Sequence, residues 1–100
     1  MDIAALGLTQ HFDGVVRCLL SDQSDLVRQR AAWVLDNLND RRAILTLLQA
    51  IHDPSWGVRS AAGRGLVHLG EIARPEIEGI FVDSKNEDAR EMAQLMLQRL

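Results

Sequence analysis

An all-α fold, an α-α superhelix of about three helical hairpins, is what the amino-acid sequence predicts. Three observations carry this. The chain repeats itself every 31 residues, with Arg28/Arg59/Arg90, Ala31/Ala62/Ala93, Leu35/Leu66/Leu97 and Leu38/Leu69/Leu100 identical in all three copies. Within each copy the apolar positions step by four, four and three, which is the spacing of one stripe along a helix. Finally, 47% hydrophobic and 25% charged residues with two prolines match a folded globular chain. At 100 residues the length predicts a single domain over 1–100, with repeats at about 9–40, 41–71 and 72–100.

The first helix of each pair, helix A, is defined by Val15, Val16, Leu19 and Leu20 in the first copy and by Ile44, Leu47, Leu48 and Ile51 in the second. Leu20, Ile51 and Val82 form one column that closes this segment. Helix B follows, with Val27, Ala31, Leu35 and Leu38 on its buried stripe. Between the two helices, Asp22-Gln-Ser24 and Asp53-Pro54-Ser55 offer side-chain acceptors to the first turn of helix B, and Pro54 suits the first helical position. Asn39-Asp40 and Gly70-Glu71 end helix B, with Gly70 the residue best able to take a left-handed cap. A pair with an apolar stripe on each member cannot bury both stripes alone, so neighbouring pairs must stack. Ala31, Ala62 and Ala93, with Gly63 and Gly65, let the helices approach closely. In the third copy Pro75 is displaced by one residue and Ser84 stands where an Asp is expected, so its helix A is expected to be shifted or irregular.

The strings Asp22-Gln-Ser-Asp-Leu-Val-Arg28-Gln-Arg-Ala-Ala32 and Asp53-Pro-Ser-Trp-Gly-Val-Arg59-Ser-Ala-Ala62 resemble HEAT-like repeats of the phycobilin-lyase type, over roughly residues 12–100. The resemblance implies a HEAT/armadillo-like solenoid. It also implies a ladder between neighbouring repeats in which Arg28, Arg59 and Arg90 meet Asp22 and Asp53. Two functions are compatible with it: a non-catalytic scaffold for protein-protein interaction, and, as the alternative, a bilin lyase or phycobilisome-processing accessory protein.

Helix B normally lines the inner side of such a superhelix, and its face opposite the buried stripe is where a partner would sit. The period places Arg30, Trp33 and Asn37, then Ala61, Arg64 and His68, then Met92, Leu95 and Arg99 on that ridge. Trp and Arg are enriched where binding energy concentrates, so the candidate partner-binding residues are Arg30, Trp33, Asn37, Arg64, His68, Met92, Leu95 and Arg99. For Trp33 a second reading stays open, in which it packs under the segment Ile3 to Leu8 or against the neighbouring helix. Trp56 is expected to pack over the A-to-B turn. Met92, Leu95 and Met96 make the last helix look poorly capped, which suggests a homodimer through it or a docked protein; the N-terminal Ile3 to Leu8 segment is expected to cover the other end.

Chemistry is not assembled in the sequence. His11, His52 and His68 lack the partners that a metal or catalytic site needs, and Cys18 has no adjacent His or cationic run to activate it, so an inert buried or half-buried thiol is expected. No catalytic residues, cofactor or metal are assigned. Eleven basic against fourteen acidic residues speak against a nucleic-acid partner. The absence of a cationic start, of a long apolar run and of a basic cluster predicts a cytoplasmic protein without membrane attachment.

Overall fold

The structure, a computed structural model, describes the backbone of residues 8–100 and the side chains from Phe12 onward. The expected cover from Ile3 to Leu8, and His11, fall outside the described side chains. Among the described residues six α-helices make three hairpins: α1 (Leu8–Ser21) with α2 (Asp25–Leu38), α3 (Ile44–Ala50) with α4 (Trp56–Leu69), and α5 (Arg74–Asp83) with α6 (Glu87–Arg99). Short 3-10 turns at Arg41–Ala43 and Gly70–Ala73 lead into α3 and α5. No strand occurs among the described residues.

The hairpins stack so that α2, α4 and α6 form one layer and α1, α3 and α5 the other. Central α4 packs on α2, α3 and α6, whereas α3 and α5 are not among the well-packed pairs. The core is the shared stripe: Val58, Ala62, Leu66, Ala73, Ile77 and Leu47 are fully buried, and Leu35 and Leu19 nearly so. Small residues set the spacing of the layer. A Cβ on Gly65 would lie 3.1 Å from Leu47 Cδ1 and 3.5 Å from the Asp36 backbone, and one on Gly63 would lie 2.9 Å from Met92 Sδ.

The turns follow the side-chain chemistry with three differences from the sequence reading. Asp22 and Asp53 each accept the backbone N–H two residues on, from Ser24 and Ser55, at 2.9 Å, so the carboxylate folds the turn. Ser24 then accepts from Val27 N as N-cap, whereas Ser55 is the N-cap without such a bond. Pro54 therefore precedes the cap and is not the first helical residue. Asn39 closes α2 in the left-handed region (φ 49°, ψ 43°). Gly70 closes α4 at φ 77°, ψ −148°, a conformation beyond the left-handed cap and open essentially to glycine alone. The third difference is that α5 is not irregular. It spans ten residues against seven in α3, with Pro75 in its first turn, where a missing N–H costs nothing.

Burial departs from the repeat pattern at the edges. Ile51 is fully buried, but its column mates Leu20 and Val82 are exposed, as is Val27 beside buried Val58 and Ala89. Among the described residues, only the middle hairpin has a neighbour on both sides. The expectation that Met92, Leu95 and Met96 lie open on the last helix holds at Leu95, which is exposed, and is corrected at the two methionines. Met92 and Met96 are buried, 5% and 2% exposed, because the missing side chain of Gly63 leaves a socket for them. The columns through which α4 meets α6, Ser60, Gly63 and Val67, hold exposed Glu91, Gln94 and Gln98 in α6. That face is polar.

Candidate functional site

Two adjoining grooves run across the wall formed by α2, α4 and α6. The first, about 540 Å³, lies between α2 and α4 and is lined by Leu26, Gln29, Arg30, Trp33, Trp56, Gly57, Ser60, Ala61 and Arg64. The second, about 110 Å³, lies between α4 and α6; Trp56, Ser60 and Arg64 belong to it too, with Gly63, Val67, Met92, Leu95, Met96 and Arg99. They share one rim on α4.

Of the eight candidate partner-binding residues, the structure brings six to the grooves. Arg30, Trp33 and Arg64 line the first, and Arg64, Leu95 and Arg99 line the second, where Met92 is present as buried floor and not as open surface. Asn37 and His68 are on the same helices but turned to internal bonds. Asn37 Nδ2 donates to the carbonyl of Trp33 at 2.8 Å. His68 Nδ1 lies 2.5 Å from Oδ1 of the buried Asp36, tying α4 to α2.

Trp33 is 56% exposed and Trp56 54%, so both indoles offer a large apolar face to the groove. Trp56 corrects its expected burial over the turn. Its ring is nevertheless fixed: the Arg59 guanidinium sits 5.6 Å from the ring centroid, a cation-π contact, and Arg59 Nη1 donates to the carbonyls of Asp53 and Pro54 at 2.9 and 3.0 Å. The sequence held a signal for Trp56, because its register mates Asp25 and Glu87 are charged and exposed.

Electrostatically the grooves are one-sided. Every charged side chain lining them is an arginine, Arg30, Arg64 or Arg99. Setting these aside, eight basic residues remain in the chain against fourteen acidic.

The expected Arg-Asp ladder is present as one full rung. Arg28 Nε and Nη2 meet Asp53 at 2.8 and 3.2 Å, and this bidentate bond raises the guanidinium pKa above its ordinary value. Asp22 gives Arg28 only its backbone carbonyl. Arg59 finds Ser84 where an Asp would be; it keeps a loose contact of 3.7 Å with Asp88, and its buried Nε has no hydrogen-bond partner. Arg90 reaches the Phe81 carbonyl at 3.4 Å.

A sequence model of HEAT repeats matches residues 12–98. The chain belongs to the HEAT-repeat family. Among curated proteins no match is found. The matched region covers α2 and α4 and all of α6 but Arg99. Elsewhere in this HEAT array, Cys18 is exposed, contrary to expectation. His52 hydrogen-bonds the Leu48 carbonyl in the last turn of α3. No group of three His, Cys, Asp or Glu residues among the described ones is placed to hold a metal, and no described helix is long and apolar enough to cross a membrane.

Proposed function

We propose that this HEAT-repeat protein is a non-catalytic scaffold that docks another protein on the wall of α2, α4 and α6. The observation that carries the reading is the pair of half-exposed indoles, Trp33 and Trp56, flanking one groove with arginines beside them. Large rigid aromatics and guanidinium groups supply most of the energy at protein interfaces, since they cover much area at low entropic cost. HEAT repeats serve widely as interaction scaffolds, which supports the same role here.

Affinity capture from the native lysate tests it. The partner retained by the wild type should be lost with Trp33→Ala or Arg64→Ala and kept with Glu76→Ala, an exposed change on α5. Equal retention by all of them would place the docking face elsewhere. The bilin-lyase alternative is supported by the Asp, Val-Arg and Ala-Ala framework of the repeats alone. Its test is a visible spectrum: a shifted absorption band on mixing with a bilin supports it, and an unchanged band removes it.

A further inference from the structure

We infer that the occupant of the wall is an acidic peptide segment in extended conformation, with apolar side chains against Trp33 and Trp56 and carboxylates on Arg30, Arg64 and Arg99. This rests on reading the wall as a docking face and adds the chemistry of the partner.

Charge supports the choice of partner. The three arginines are unopposed by any carboxylate lining the grooves, in a chain that is acidic overall. A positive strip on a negative molecule selects a short negative segment and repels a long polyanion, which would run past the strip over the acidic remainder. A nucleic-acid strand would present a phosphate at every step and needs a track of many cations; here there are three. Planar guanidinium groups suit bidentate carboxylate recognition.

Shape supports the extended form. The grooves follow one another across three helices and share Trp56 and Arg64, so a single occupant crosses the helices. With neighbouring helices about 8–10 Å apart and about 3.3 Å per extended residue, roughly five or six residues reach from α2 to α6. Trp56, held by Arg59, needs little ordering when the segment arrives.

The test uses the full chain and its own fluorescence, because its only two tryptophans, Trp33 and Trp56, both line the first groove. Three synthetic peptides are titrated, repeating Asp-Leu-Glu-Pro, Asn-Leu-Gln-Pro and Lys-Leu-Arg-Pro, together with single-stranded oligothymidylate. The acidic peptide is expected to shift the tryptophan emission and to bind at least about tenfold more tightly than the neutral one, the loss of one charged contact being worth about that factor. Its affinity should fall with salt and in the Arg30→Gln, Arg64→Gln double variant, and recover in part with lysine at both positions, which also controls for folding. Equal binding of the acidic and neutral peptides, or tighter binding of the oligonucleotide, overturns the inference. If no peptide binds while the lysate partner still depends on Trp33, the acidic segment is wrong and the docking face stands; if capture is also indifferent to Trp33, both readings fall.

Discussion

Arg28 and Arg59 occupy one column of the repeat and meet different surroundings, because the residue 25 positions after each is Asp53 in one case and Ser84 in the other. Ser84 already performs the backbone part of the aspartate's task, its Oγ accepting from Asn86 N at 3.1 Å. What it cannot do is reach Arg59. Ser84→Asp is therefore expected to stabilise the protein by about 1 kcal/mol, by pairing the orphaned Nε, and to raise the melting temperature by about 4–8 °C. Asp53→Ala should do the reverse, lowering stability by about 2 kcal/mol in denaturant titrations, since it unpairs Arg28 and unties Ser55. A third outcome concerns acid. The Arg42 side chain, followed by its backbone N–H, holds the Asp40 carboxyl below its ordinary pKa. NMR titration should find Asp40 ionised to lower pH than a free aspartate, with Arg42→Ala moving it part of the way back. A carboxylate lowered in the folded state contributes stability above its unfolded pKa and loses it as pH falls through the folded one; its partner Arg42 is exposed to solvent, so the effect on unfolding is small.

At the scale of elements, the helix layer is spaced by what is missing from α4. Gly65 faces Leu47 and the Asp36 backbone, so Gly65→Leu must push α2 from α4, and thermal unfolding should show a loss of more than about 2 kcal/mol. Most of the stripe and the two aspartate turns could be read from the sequence because they depend on neighbours along the chain, whereas exposed Val27 and Leu38 and the helix ends at Pro54 and Gly70 depart from that reading. Met92 could not. Its column holds exposed Arg30 and half-buried Ala61, and only the socket over Gly63 on the adjacent helix draws it inward. Trp56 was missed for another reason: its place in the first turn suggested packing, while its charged register mates pointed outward. Of the groove, Arg30, Trp33, Arg64, Leu95 and Arg99 follow from the period; that the two grooves join at Trp56 is a tertiary fact.

Across the whole molecule the contacts are unequal. Both Cα extents and packing describe a thin stack, 39 × 28 × 17 Å, in which each hairpin is held mainly by its immediate neighbours. The first and second hairpins share the Arg28–Asp53 rung and the His68–Asp36 pair. The second and third share Met92 and Met96 under Gly63 but no complete rung, and α3 is separated from Ile80 of α5 by an open cleft of about 430 Å³. Native-state hydrogen exchange should accordingly show α5 and α6 opening at lower free energy than α2 and α4; uniform protection of all four helices would contradict this unequal coupling.

The vacant rung at Ser84 thus reaches beyond its own neighbourhood. Met92, Leu95 and Arg99 belong to the hairpin it leaves loosely moored, so whenever that hairpin detaches, the far half of the proposed docking wall detaches with it. A guest spanning all three helices would act as the missing clasp: its affinity and the cohesion of the array become one linked equilibrium, and strengthening either strengthens the other.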